Sequence, residues 1–90
     1  MRTWIIGSGA GCDLVVARPT VSGRHCRLAE TVDGYLVEDL DSSNGTYVNL
    51  MRISMATRVS ASDTITLGLT IPDGLGKKTQ QIKILPTDVQ

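Results

Sequence analysis

Short runs of β-favouring residues, each closed by turn residues within a few positions, fill nearly all of this 90-residue sequence. Valine, isoleucine and threonine supply 25 of the residues, and these types fit the pleated, half-buried surface of a sheet. No stretch repeats apolar residues at i, i+3 and i+4 between start and stop signals, so long helices are not expected. Strands are read near Arg2–Ile6, Leu14–Val16, His25–Ala29, Tyr35–Asp39, Thr46–Val48, Thr57–Val59, Thr64–Leu67 and Ile82–Leu85, with a further short piece at Leu69–Ile71. Turn-rich segments at 7–13, 18–24, 32–34, 41–45 and 60–63 separate them. That spacing favours a sandwich or barrel over a βαβ sheet. Asp33-Gly34 reads as the hairpin turn between the third and fourth strands. In Thr64–Leu67 the alternation points Ile65 and Leu67 inward and the two threonines outward. In Tyr35–Leu40 it is imperfect, since Leu36 and Leu40 share a face with Glu38. The polar, glycine-rich segment Pro72–Thr79 reads as a loop or hairpin before the last strand, not as a domain linker.

Ninety residues make a single domain, 1–90. Hydrophobic residues are 41% and charged residues 20%, with nine basic against nine acidic side chains. An apolar fraction of that size excludes a disordered acidic tail. The zero net charge excludes a protein that coats nucleic acid by charge alone. Trp4, Tyr35 and Tyr47 are too scattered to form a stacking platform for single strands. No apolar run approaches the ~20 residues of a membrane helix, and the first residues do not read as a signal peptide. A cytoplasmic setting is therefore expected, with no membrane or nucleic-acid partner. There Cys12 and Cys26 are expected to be free, partly buried thiols. Two cysteines and the lone His25 lack the paired spacing of a zinc site, so no metal or other cofactor is expected.

Several segments invite a catalytic reading. Gly7-Ser8-Gly9-Ala10-Gly11 lacks the Lys-Ser/Thr that closes a phosphate loop, and a strand-like Leu14-Val15-Val16 follows where a dinucleotide fingerprint needs a helix. The glycines read as allowing a tight surface turn. His25 and Cys26 are neighbours in a strand and point to opposite faces, so they do not form a nucleophile–base pair. Ser22 with His25 and an aspartate could in outline form the triad of a small hydrolase, but Ser22 lacks the Gly-x-Ser-x-Gly elbow and no complete nucleophile–base–orienter set is visible. No enzymatic activity is expected. Two polar clusters remain: Ser22-Gly23-Arg24-His25 and Asp41-Ser42-Ser43-Asn44-Gly45-Thr46, each in a loop just before a strand. Hydroxyls, an amide and a guanidinium on two loops suit a tetrahedral oxyanion, although such clusters are also ordinary turns. Arg18, Arg24 and Arg27 fall in a stretch, 14–29, without acids, and the stretch 30–41 holds five acids and no base. These read either as two solvated surfaces or as an anion-facing region beside an acidic one.

Taken together, Ile6-Gly7-x5-Asp13-Leu14-Val15, Val21-Ser22-x-x-His25, Asp39-Leu40-x-Ser42-Ser43-Asn44-Gly45-Thr46-Tyr47-Val48-Asn49 and Asp63-Thr64-Ile65-x-Leu67-Gly68 resemble a forkhead-associated (FHA) domain over about residues 3–71. The resemblance implies an all-β, FHA/SMAD-like antiparallel β-sandwich of about eleven strands. It places both termini at one end and ligand loops at the other, with 72–90 adding a loop and a final strand. It implies a binding module for phosphothreonine peptides in signalling, of a type common in bacteria. By position, Ser22 and Ser43 would contact the phosphate, Asn44 would hold the peptide backbone, and Arg24 in the Ser22 loop could add charge. His25 would be structural, Gly7 and Gly45 would permit backbone turns, and Asp13 and Asp39 would be structural.

The sequence departs from the family pattern at Ser8, where an arginine usually follows the glycine and makes the main charged contact to phosphate. Gly23 replaces a residue that is often polar or basic, Leu50 replaces the glycine of an Asn-Gly hairpin, and Ala61-Ser62-Asp63 replaces a Gly-Asp turn. Two readings follow. Either the chain reads phosphothreonine through a weakened site, with Arg18 or Arg24 standing in for the arginine missing at Ser8, or it binds an unphosphorylated protein partner on the same scaffold.

Overall fold

The computed structural model describes residues 2–68 and 82–89. They contain nine strands: β1 (Thr3–Gly7), β2 (Leu14–Val15), β3 (Cys26–Thr31), β4 (Gly34–Asp39), β5 (Thr46–Val48), β6 (Met51–Arg52), β7 (Thr57–Val59), β8 (Ile65–Leu67) and β9 (Ile82–Ile84). A single 3-10 turn, Pro86–Val89, follows. The expected piece at Leu69–Ile71 and the expected loop at Pro72–Thr79 lie outside the described residues. The implied count of about eleven strands thus becomes nine among the described residues.

The strands form a five-stranded sheet, β2-β1-β3-β4-β7, and a four-stranded sheet, β6-β5-β8-β9. Both sheets feed one core, to which Trp4, Ile6, Leu28 and Val37 come from the first and Ile65, Leu67 and Ile84 from the second. Each such burial contributes roughly 1.5–3 kcal/mol. In β4 the inward face is Tyr35 and Val37, which leaves Leu36 and Glu38 on the half-buried outer face.

Three expectations are corrected. The first sheet is not purely antiparallel, because β2 runs parallel to β1 with Ile6 opposite Leu14. The chain turns back within residues 8–13, far fewer than the usual parallel crossover. It does so because Asp13 binds β1 twice: its amide donates to the Ile5 carbonyl at 2.8 Å, and its Oδ2 accepts the Ile5 amide at 2.8 Å. Second, Thr66 does not point to water. It is fully buried, since β8 is an interior strand and Tyr47 and Lys83 stand opposite it on either side. Third, the β3–β4 turn is Val32-Asp33, because Gly34 already pairs with Thr31.

Strand directions place the functional loops. β1 ends at Gly7, β3 begins at Cys26, β4 ends at Asp39 and β5 begins at Thr46, so the segments 8–13, 16–25 and 40–45 gather at one end. Thr3 of β1 and the 3-10 turn after β9 lie towards the other end.

Candidate functional site

The first two loops are laced together through their backbones, and the second and third through side chains. Ser8 and Gly9 donate their amides to the carbonyls of Ser22 and Gly23 at 2.9 and 3.1 Å. The approach is so close that a Cβ on Gly7 would sit 2.3 Å from the Gly23 oxygen. Gly7 is therefore set by contact between two backbones. Gly23 faces open space, so a larger residue at that position would meet nothing. The Cys12 thiol donates to the Gly23 carbonyl at 3.0 Å.

His25 joins the second loop to the third. It is fully buried. Its Nδ1 accepts the Ser22 amide at 3.1 Å, which leaves the proton on Nε2 to donate to the Gly45 carbonyl at 2.7 Å. Both ring nitrogens are thereby used, and neither serves as a base for a nucleophile. The Ser22 hydroxyl instead accepts the Ser43 amide at 3.0 Å. Burial, with smaller help from the Asp39 charge, pushes the Cys26 thiol up to about 12. Cys26 is thus an inert core thiol, and both cysteines are free.

Asp39 organises the third loop. Its carboxylate accepts the Ser42 hydroxyl and the Thr46 hydroxyl, the latter at 2.7 Å. It also accepts the Ser42 amide at 3.2 Å. The Ser42 hydroxyl accepts the Gly45 amide at 3.0 Å. Burial works to raise the Asp39 carboxyl, but the bonds from Ser42 and Thr46 outweigh it and hold the group below its ordinary value. Asp41 at φ 56° and Gly45 at φ 87° complete the turn in the left-handed region. The Asn44 amide donates to the Thr20 carbonyl at 2.9 Å, a third tie between the second and third loops.

Ser8, Ser22, Ser43 and Asn44 thus gather at one end, in the same segments as Gly7, His25 and Gly45. The arginines are placed less centrally. Arg24 is exposed and lines a hollow of about 280 Å³ with Ile5, Gly9, Gly11, Cys12 and Gly23, on the side of the first loop. Its guanidinium hydrogen-bonds neither Ser22 nor Ser43. Arg18 is exposed in the turn that precedes Val21. Ser42, which the motif alone does not single out, is nearly buried and carries the loop. The readable signal was its place three residues after Asp39, the spacing at which a carboxylate caps a turn. Among the described residues no group of His, Cys, Asp and Glu is placed to hold a metal ion, and no helix is long and apolar enough to cross a membrane.

The sequence and the two-sheet fold of this chain are both matched by known proteins. The family model described as FHA domain matches residues 4–68, and the chain belongs to the FHA family. FHA domains are non-enzymatic interaction modules. The FHA domain-containing protein FhaB of Mycobacterium tuberculosis is 35% identical over 66 residues, which cover 73% of this chain and 43% of FhaB. The chain therefore spans less than half the length of the curated relatives it matches. The solved FHA domain of the CT664 protein from Chlamydia trachomatis is similar at TM-score 0.71 and 30% identity, covering 74% of this chain and 69% of that one. A further solved chain, from a structural and functional analysis of phosphothreonine-dependent FHA domain interactions, is similar at TM-score 0.68 and 31% identity, covering 76% and 72%.

Proposed function

We propose that this chain is a phosphothreonine-peptide-binding module whose phosphate site is weakened by Ser8. The observation that carries the reading is the bond from the Ser43 amide to the Ser22 hydroxyl, at 3.0 Å. It fixes the two loops against each other and occupies one lone pair of the hydroxyl. The Ser22 O–H stays available to donate to a phosphate oxygen. Ser43 is itself exposed, and Asn44 keeps its side-chain carbonyl and one N–H for a peptide backbone. A site so held offers its donors at little ordering cost.

What the site lacks is charge. A hydroxyl at Ser8 bonds a phosphate without neutralising it, and a charge-assisted bond contributes roughly 1.5–3 kcal/mol, about ten- to a hundredfold in affinity. Arg24 and Arg18, in the Ser22 loop, are the cations the sequence offers in its place. The partner is a phosphothreonine-containing protein, and a cytoplasmic setting suits the two free thiols. A second reading, a phospho-independent interaction module, draws on one observation: Arg24 lies on the hollow beside Cys12 and makes no bond to Ser22 or Ser43.

A degenerate phosphothreonine peptide library, titrated beside its unphosphorylated counterpart against the parent and Ser8→Arg, separates the two. The reader requires phosphate in the parent and gains about tenfold or more in Ser8→Arg. Phosphate-dependent binding in Ser8→Arg alone would assign the parent to an unphosphorylated partner.

A further inference from the structure

A different arginine lies against the site. Arg52 is directly opposite Tyr47 across the β5–β6 ladder, so both side chains leave the sheet on one face. That face runs back to Gly45, where a Cβ would stand 2.9 Å from Arg52 Nε, 3.2 Å from its Cζ and 3.3 Å from the Tyr47 ring. The guanidinium thus occupies the slot that a glycine at φ 87° leaves open. Gly45 belongs to the loop that carries Ser43 and Asn44.

Arg52 is also uncommitted. Arg27 pairs with Glu38 at 3.4 Å and Arg58 with Asp33 at 3.6 Å. Arg52 is exposed and makes no ion pair or hydrogen bond among the described residues. The carboxylate built into the loop, Asp39, is already covered by Ser42 and Thr46. A guanidinium held against the Gly45 backbone has lost part of its rotamer freedom, so less is left to lose when its donor fork meets an oxyanion.

We propose that Arg52 is a cationic contact of the peptide site and takes an oxyanion of the ligand, the phosphate itself or a carboxylate flanking the phosphothreonine. The inference rests on the peptide-binding reading and names the residue that offsets part of the charge missing at Ser8. Phosphate and carboxylate present the same oxygen geometry to the fork.

The test uses one phosphothreonine peptide with neutral flanks, versions with aspartate placed in turn on either side, and the unphosphorylated counterparts. The parent, Arg52→Gln, Arg52→Lys, Ser22→Ala and Arg58→Gln are titrated against each. Amide spectra of the variants verify folding. Arg52→Gln is expected to weaken binding about tenfold, Arg52→Lys to restore part of it, and Arg58→Gln to match the parent. A loss seen on the neutral-flank phosphopeptide assigns Arg52 to the phosphate; a loss confined to aspartate-bearing peptides assigns it to a carboxylate. If Arg52→Gln equals the parent on every peptide while Ser22→Ala abolishes phosphate-dependent binding, the Arg52 contact is overturned and the reader stands. If neither phosphate nor Ser22 matters, the reader fails and the Arg52 contact falls with it.

Discussion

The loop end and the second sheet treat their difficult residues differently. At the loop end, His25 and Ser42 are buried polar side chains, and each is hydrogen-bonded. The tight φ 87° position there is a glycine. In the second sheet, Thr66 is fully buried with a hydroxyl that has no partner among the described residues. The β5–β6 hairpin turns through Asn49 and Leu50 at φ 48° and 69°, although a leucine there carries a steric cost. That turn is held by its neighbours: Asn49 donates to Asp63 at 3.0 Å and accepts the Thr64 amide at 3.1 Å. Buried polar groups that fix a loop are thus satisfied, as Thr46 at the start of β5 also is through Asp39, whereas the Thr66 hydroxyl, which fixes no loop, has no partner among the described residues. An unpaired buried polar group costs about 1–3 kcal/mol, so the contrast has energetic weight.

The largest expected effect breaks the loop end. His25→Ala removes both bridging bonds and opens a cavity, and is expected to lower stability by about 3–5 kcal/mol in a denaturant titration. Next is Gly7→Ala, in which the added methyl meets the Gly23 carbonyl and the backbones must part. A loss of roughly 1–3 kcal/mol is expected, with weaker amide protection at Ser8 and Gly9 in hydrogen exchange. Asp39 gives the loop end a pH signature. Its folded-state value lies below its ordinary one, so its contribution is complete above about pH 4 and fades as pH falls through the folded value. Asp39→Asn is expected to be less stable at neutral pH and to lose less on acidification, measured by thermal melts across pH.

The second sheet is expected to respond in the opposite direction. Leu50→Gly relieves the left-handed strain and should stabilise by about 1 kcal/mol, with peptide binding unchanged. Thr66→Val removes the orphan hydroxyl at constant shape and should gain about 1 kcal/mol or slightly less in denaturant midpoint. A loss in either variant would mean that the second sheet is as finely matched as the loop end.

The same contrast governs what the sequence made legible. Eight of the nine strands are legible to within a residue or two, because short β-favouring runs end at turn residues. β6 was not seen, since a two-residue strand shows no period and both Met51 and Arg52 are exposed. Thr66 was turned outward because a threonine in an alternating run reads as solvent-facing until flanking strands cover it. The parallel pairing of β2 depends on the Asp13 carboxylate standing in for a ladder partner, a tertiary contact that no local pattern announces. Of the candidate site, Ser22, His25, Ser43, Asn44 and Gly45 are legible as a motif. Arg52 was not, because its place beside Gly45 follows from a hairpin register and a missing Cβ.

The most direct test of the central claim is a calorimetric titration of one phosphothreonine peptide and its unphosphorylated twin against the parent and Ser22→Ala. If the loop end is a phosphate site, the parent binds only the phosphorylated peptide and Ser22→Ala loses about tenfold or more. Equal affinity for the two peptides, unchanged in Ser22→Ala, would contradict it.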